Sequence, residues 1–173
     1  RNSLCGIVNG IDYNDYNPET DIQLQYKYNS INFRKNKSRN KTILQEQLGL
    51  EVDPNKMMIG LVSRLTDQKG LDLVAHIMDE LCQDNIQFVV LGTGMEKYEN
   101  MFRYFDWKYG NKVSANIYYD EGMSHKVYAA CDAFLMPSLF EPCGLSQLMS
   151  LRYGTVPIVR ETGGLRDSIK DAG

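Results

Sequence analysis

From residue 57 onward, short apolar runs alternate with longer amphipathic stretches. Four of the runs are almost entirely apolar and one alternates, and together they predict strands over residues 57–62, 86–91, 113–119, 133–136 and 156–159. A strand that is apolar throughout is typical of a sheet covered on both faces, because neither of its faces meets water. The pattern therefore predicts a buried sheet.

Helical periodicity fills the intervals between these strands. In the first interval Val74, Met78 and Leu81 recur on one face, together with Ile77. The same reasoning predicts helices over residues 36–49, 71–81, 96–109, 123–131, 145–153 and 165–170. Strands that alternate with helices predict a parallel sheet with right-handed crossovers, so the predicted fold is an α/β, doubly wound, Rossmann-like domain.

The first 33 residues lack this regularity. They are rich in Asn, Asp, Tyr and Gly, and they predict only a short strand at 6–9 followed by a loop through Asn17 and Pro18. We interpret residues 1–33 as a linker from a preceding domain, and residues 34–173 as the Rossmann-like domain. Because the chain begins at Arg1 and stops directly after a helical pattern, we expect it to be a piece of a longer protein.

Composition argues against a nucleic-acid-binding protein. The net charge of −3 over 173 residues gives no overall nucleic-acid footprint. One local basic run is interpreted as a solvated helix start or linker; its members are Arg34, Lys35, Lys37, Arg39 and Lys41.

The four cysteines form no CxxC pair and match no zinc spacing. Cys82 and Cys131 lie in apolar periodic segments and are predicted to be buried thiols. Neither a signal peptide nor an apolar run long enough to cross a bilayer occurs in the sequence. We therefore expect a cytoplasmic protein, or a plastid one if the source is a plant, without nucleic-acid or membrane partners.

Charged residues follow two of the predicted strands. Arg64 and Lys69 come after the first strand, and they could neutralise a diphosphate without a metal or could be solvated loop cations. Glu141 follows the fourth strand, just before a helix, where open α/β sheets bind ligands. The alternative for Glu141 is that it only caps that helix.

Glycine turns and aromatic residues follow other strands. Gly92 and Gly94 form half of a dinucleotide fingerprint, but Lys97 occupies the third glycine position, so a turn that lets a ligand approach the backbone is the better interpretation. Tyr119 could stack on a nucleobase or pack at the rim of the site. His125 is interpreted as a packing or capping residue.

Three motifs in order carry a resemblance to the bacterial glycogen synthases and plant starch synthases, glycosyltransferase family 5. The motifs are Ser63-Arg64-Leu65 with Gln68-Lys69-Gly70, then Phe140 to Leu145, then Tyr153-Gly154-Thr155 with Thr162 to Leu165. The segments Gly6 to Asp12 and Asn17 to Asp21 also resemble the family. The resemblance covers nearly the whole chain.

The resemblance implies one of the two domains of a two-domain glycosyltransferase. The chain is similar to the C-terminal, nucleotide-sugar-binding domain, truncated at its C-terminus, and it lacks the family's N-terminal lysine-glycine-glycine loop and cleft histidine. We therefore expect the isolated chain to be inactive. The family transfers glucose from ADP-glucose to an α-1,4-glucan with retention, and it needs no metal or other cofactor.

The resemblance also implies roles for single residues. Arg64 and Lys69 would hold the donor diphosphate, and Glu141 would contact the transferred glucose. The implied donor-binding residues, with Tyr119 on adenine and backbone donors at the helix start, are Gly92, Gly94, Tyr119, Cys143, Gly144, Leu145, Ser146, Gly163 and Gly164.

At one position the sequence differs from the pattern of related glycosyltransferases, and this difference narrows the choice of family. Related glycosyltransferases carry a second glutamate eight residues after the first, where this chain has Met149. That favours the glycogen and starch synthases. Two alternatives stay open at this point: a related retaining glycosyltransferase that uses a UDP-sugar, and a non-catalytic nucleotide- or glucan-binding module.

Overall fold

A single parallel sheet organises the computed structural model, which describes residues 6–171. Within that range the strands are β1 (Met57–Val62), β2 (Ile86–Leu91), β3 (Val113–Asn116), β4 (Ala133–Met136) and β5 (Val156–Val159). Their order across the sheet is β3-β2-β1-β4-β5, and every pairing is parallel. The chain therefore winds outward in both directions from β1, and the order reverses between β1 and β4.

Helices cover both faces of this sheet. They are α1 (Phe33–Gln47), α2 (Leu71–Leu81), α3 (Glu96–Lys108), α4 (Glu121–Ala130), α5 (Ser146–Arg152) and α6 (Gly163–Ser168), with a short 3₁₀ turn at Asp67–Lys69. Along β2, Phe88 and Val90 pack with the α2 and α3 side chains, whereas Val89 and Leu91 pack with those of α1 and α4. The predicted doubly wound α/β fold is confirmed.

Most predicted element bounds agree with the structure. Four of the strands have their predicted bounds, while β3 ends at Asn116, three residues early. The predicted strand at 6–9 is wrong, because none of those residues lies in a strand and Ile7 is 93% exposed. Helix α4 begins two residues earlier than predicted, since the Asp120 carboxylate caps it by accepting from the Met123 amide.

The buried thiols are confirmed, but the solvated basic run is only partly correct. Cys82 and Cys131 are buried. Lys37 and Lys41, however, are buried on the inner face of α1. Lys37 Nζ donates to the carbonyl of Ala129 at 3.0 Å, at the end of α4. These lysines turn inward because helix-end carbonyls and a carboxylate meet their ammonium groups there.

The two buried ammonium groups differ in their partners. Lys41 Nζ donates to the Asp132 carboxylate at 2.6 Å. Lys37 Nζ donates to the Thr155 hydroxyl at 2.6 Å as well as to main-chain carbonyls. Burial lowers the pKa of Lys37 to about 8, which is the direction expected for an ammonium that is removed from water.

Residues 6–32 contain no helix or strand, yet they pack on the domain. Leu24 and Tyr28 are buried in a cluster with Phe134 and Tyr153. The Tyr28 hydroxyl donates to the Tyr153 carbonyl at 2.8 Å. This segment therefore covers part of the core beside β4.

A buried hydrogen-bonded group anchors the same segment. The Asp21 carboxylate accepts from Nδ1 of His125 at 2.8 Å and from the Tyr153 hydroxyl at 2.5 Å. The Tyr16 ring stacks on the His125 ring at 4.8 Å. His125 is thus a packing residue, as predicted. Burial acts to raise the pKa of Asp21, but the His125 and Tyr153 hydrogen bonds outweigh it and hold that pKa below its usual value.

This anchoring predicts an acid limb in the stability profile. Because the pKa of Asp21 is lower in the folded state, its contribution to stability is present above the unfolded value of 3.8 and is lost as pH falls through the folded value. Urea unfolding between pH 2 and pH 7 should show this limb in the parent chain and a shallower one in Asp21→Asn. Asp15→Asn, at an exposed acid of the same segment, is the control. Equal limbs in all three proteins would contradict the assignment.

No helix within residues 6–171 is long and apolar enough to cross a membrane.

Candidate functional site

The site lies at the carboxyl edge of the sheet, where the strand order reverses. The loop after β1 (residues 63–70) and the loop after β4 (residues 137–145) flank that reversal. Open parallel sheets bind ligands in the crevice at such a point, because the two loops leave in opposite directions. The candidate residues Arg64, Lys69 and Glu141 come from these two loops.

Lys69 and Glu141 form an ion pair across the crevice. Lys69 Nζ donates to Glu141 Oε2 at 2.6 Å, and the two side chains are 16% and 12% exposed. The Ser138 hydroxyl donates to the same oxygen at 3.3 Å. Glu141 does not cap α5, whose N-cap Leu145 makes no side-chain hydrogen bond, so the capping alternative is wrong. Lys69 is not a solvated loop cation either.

Backbone contacts hold the two loops together. The Leu139 amide donates to the Gln68 carbonyl at 2.9 Å, and the Gln68 side chain donates to the Phe140 carbonyl at 3.2 Å. Gly70 has a φ of +64°, and a Cβ there would lie 2.1 Å from the Pro137 carbonyl oxygen. The ion pair therefore spans loops whose separation is fixed by the main chain.

Arg64 lies at the mouth of the same crevice. Arg64 and Lys69 both line a pocket of about 200 Å³, which Ser138 and Ser146 close from the β4 side. Arg64 is exposed, and within residues 6–171 its guanidinium makes no ion pair. The pocket thus presents an unpaired planar cation beside a paired ammonium, a combination suited to phosphate oxygens.

Gly163 and Gly164 lie against the Glu141 loop. The Gly164 amide donates to the Glu141 carbonyl at 2.8 Å. A Cβ on Gly163, whose φ is +45°, would lie 2.3 Å from that carbonyl oxygen, and one on Gly164 would lie 2.4 Å from Cys143 Cα. Both positions need glycine because two loops touch there, so packing alone accounts for both residues.

Gly92 and Gly94 likewise allow two loops to touch, here beside β1. A Cβ on Gly92 would lie 1.9 Å from the Ser63 carbonyl oxygen, and one on Gly94 would lie 2.3 Å from that of Leu65. The Leu65 amide donates to the Thr93 carbonyl at 2.9 Å. These glycines bring the loop after β2 directly against the loop that carries Arg64.

The other candidate residues are placed around this centre. Ser146 is the first residue of α5, and Gly144, with a φ of +71°, precedes it by two residues. Cys143 touches Gly164. Tyr119 lies farther away, in the loop after β3 and two strands from β1, and it is 85% exposed.

Sequence reasoning missed two supporting side chains. Ser138 is fully buried beside Glu141, and Gln68 ties the two loops together. Ser138 could have been suspected, because it is a polar residue two positions beyond the end of β4 and only three before Glu141. Nothing in the sequence pointed to the partner of Gln68, which is 72 residues away. Among residues 6–171 no cluster of three metal-ligating side chains occurs.

Comparison with known proteins identifies the family. The family model "Glycosyl transferases group 1" matches residues 41–173. This chain belongs to the group 1 glycosyl transferases. As a member of that family it shares 73% identity over 169 residues with the glycogen synthase of Lachnospira eligens, and 63% over 167 residues with that of Lachnoclostridium phytofermentans. These matches cover 98% and 96% of this chain but only 35% of each relative, so the chain spans about a third of their length.

Solved structures agree with this membership. The catalytic domain of starch synthase IV from Arabidopsis thaliana, bound to ADP and acarbose, is 39% identical with a TM-score of 0.90. That match covers 96% of this chain and 34% of the other. Anabaena HepE in complex with UDP and glucose, 21% identical with a TM-score of 0.62, shares the fold. This group 1 glycosyl transferase chain therefore has the predicted family and fold.

Proposed function

We propose that this chain is the donor-binding domain of a retaining glucosyltransferase that moves glucose from ADP-glucose to an α-1,4-glucan. The observation that carries the proposal is the Lys69–Glu141 ion pair, with Arg64 beside it, at the reversal of the strand order. The names of the similar glycogen synthases, and the ADP and acarbose bound to starch synthase IV, support the choice of donor and acceptor.

The two cations would act on the donor diphosphate. As the bond to glucose breaks, negative charge grows on the departing nucleotide, and Arg64 and Lys69 would stabilise it. Lys69 is already held by Glu141 and by fixed loops, so little reorganisation is needed when the charge develops. Two protein cations would then face the diphosphate, and we propose that they do so without a metal or another cofactor.

Glu141 would have a second task. Its Oε2 is occupied by Lys69 and Ser138, whereas Oε1 makes no hydrogen bond within residues 6–171. A carboxylate oxygen of this kind can accept hydroxyl hydrogens from the transferred glucose. One side chain would then orient both the lysine and the sugar.

The remaining donor contacts stay predictions. Tyr119 is exposed enough to stack on adenine, and the amides of Gly144, Leu145 and Ser146 would donate to phosphate oxygens. The glucan, the N-terminal half that completes the cleft and the cytoplasmic location belong to the same proposal. Without that half, we expect the chain to bind nucleotide but not to transfer glucose.

Calorimetric titration with ADP, UDP and GDP tests the proposal. We expect selective ADP binding that weakens about tenfold or more in Lys69→Ala, since a charge-assisted contact to phosphate is lost. Preference for UDP would instead indicate a transferase that uses a UDP-sugar. If no nucleotide binds, the titration is repeated on the longer enzyme, and failure there would overturn the phosphate assignment.

A further inference from the structure

Two aromatic side chains lie exposed on the outer face of α3. Trp107, the only tryptophan in the sequence, is 80% exposed, and Tyr104, one turn earlier, is 49% exposed. Their ring centroids are 5.9 Å apart and the ring planes are tilted by 38°. Phe102 and Phe105 of the same helix are buried, so α3 fills the core without these two rings. Together the two adjoining rings offer a ligand two flat apolar faces.

Charged groups border the two rings. Lys108 Nζ lies 5.7 Å from the Tyr104 ring centroid and donates to the Asp79 carboxylate at 2.8 Å. The Tyr109 hydroxyl donates to the same carboxylate oxygen at 2.8 Å. The surface thus combines flat apolar faces with a carboxylate, an ammonium and hydroxyls along one side.

This combination matches the chemistry of a glucose polymer. A glucose ring has two faces of C–H groups and a rim of hydroxyls, so it can stack on an aromatic face while its rim makes hydrogen bonds. A largely apolar protein partner would bury Asp79 and Lys108 away from water, which is costly. Two rings tilted against each other suit a curved chain, which an α-1,4-glucan is.

We propose that Tyr104 and Trp107 form an α-glucan-binding site separate from the donor site. The inference rests on the proposed function, because that function supplies the polymer. Helix α3 begins at the carboxyl edge of the sheet and runs back to the opposite edge, so Trp107 lies about 16 Å along the helix from its start. Past the end of α3, the Asn111 carbonyl accepts a hydrogen bond from the Glu51 amide in the segment that precedes β1. This end of α3 therefore lies at the edge of the sheet opposite the donor site.

A glucan-binding site on α3 would have a role distinct from that of the donor site. A polymer held at α3 keeps its other chain ends near the enzyme, which raises their effective concentration at the active site. A short oligosaccharide that fills one site at a time gains nothing from this second contact. The site would therefore favour large glucan particles as acceptors.

Trp107 fluorescence tests binding directly, because no other tryptophan contributes to the signal. Titration of the 173-residue chain with maltoheptaose should give a saturable change in emission and protection from acrylamide quenching. ADP alone should leave the emission unchanged. If the emission does not change at saturating maltoheptaose, the inference is wrong. If the emission changes only with protein concentration, the inference is also wrong, because that result would indicate self-association through this face.

Variants show whether the rings themselves bind the polymer. In native gels that contain glycogen, Trp107→Ala and Tyr104→Ala should bind about tenfold more weakly than the parent, and Trp107→Phe should keep part of the affinity. Phe33→Ala, at an exposed ring on α1, is the control. Unchanged retardation of Trp107→Ala would contradict the proposal.

Nucleotide calorimetry separates this inference from the proposed function. ADP binding should be the same in the parent and in Trp107→Ala. If ADP binds and the Trp107 emission does not change with glucan, the glucan-binding site is wrong and the donor site stands. If Trp107 responds to glucan and no nucleotide binds even in the longer enzyme, the donor assignment is wrong and the glucan site stands.

Discussion

Replacement of Lys69 by methionine is expected to lower kcat/KM of the enzyme that contains this chain by about two to three orders of magnitude. The ammonium is held 2.6 Å from the Glu141 carboxylate, and both side chains are largely shielded from water. On the proposed function, a charge fixed in that position would stabilise the departing nucleotide more than a solvated charge could. Initial rates with ADP-glucose and glycogen, measured on the longer enzyme, give the value.

A second lysine–carboxylate pair provides the matched control. Lys97, in the first turn of α3, pairs with Asp67, which lies in the same loop as Lys69, but the Lys97 and Asp67 side chains are both more than half exposed. Lys97→Met should leave kcat/KM within about twofold, since exposed pairs contribute little. A similar loss in both variants would mean that loop disturbance, and not the position of the charge, causes the effect.

The double variant Lys69→Met/Glu141→Gln separates folding from catalysis. Removing Lys69 alone leaves a mostly buried carboxylate without its partner, which destabilises the fold. Neutralising Glu141 as well should recover much of that stability, measured by urea unfolding. Activity should stay low in the double variant. Recovery of activity together with stability would show that Lys69 has only a structural role.

Gly163→Ala is expected to lower activity about a hundredfold while the fold persists. The added methyl would lie 2.3 Å from the Glu141 carbonyl oxygen, so the loop that carries Glu141 must move. A displacement of about 1 Å in a reacting group can cost about two orders of magnitude in rate. The measurement is kcat with ADP-glucose at saturating acceptor, beside a thermal unfolding curve.

Gly154→Ala isolates the backbone strain of such a change. Gly154 also has a positive φ, +69°, but nothing lies within 4 Å of a Cβ there. This variant should lose about 1 kcal/mol of stability and keep its activity. Equal losses of activity in the two variants would refute the idea that contact with the Glu141 loop matters.

The sequence pattern was sufficient to predict the sheet. Runs such as 57–62 and 133–136 are apolar throughout, and their short length and regular spacing between helical patterns favour a sheet buried on both faces. The prediction failed at 6–9, where the apolar pair Ile7 and Val8 resembled a strand but lies in none of the strands of the structure. A strand needs a partner, and local composition says nothing of that.

Single residues of the site were predicted, but their pairing was not. Lys69 and Glu141 were assigned separately to the diphosphate and to glucose, and their ion pair depends on two loops that meet 72 residues apart in the chain. Lys37 illustrates the same limit, since its carbonyl partners are more than 90 residues away. From the sequence alone, a charged residue in a basic run is expected to be solvated, because its hydrogen-bond acceptors are brought to it only by the tertiary fold.

The packing of residues 6–32 bears on where the chain can be shortened. The family match starts at residue 41, yet Lys37, Tyr28 and Asp21 lie before it and are buried against α4 and the Tyr153 region. A gene fragment cut at the family boundary would uncover Phe134 and Tyr153 and leave the carbonyls at the end of α4 without their ammonium. The packed unit is therefore longer at its N-terminus than the family match, and expression boundaries should be chosen before Tyr16.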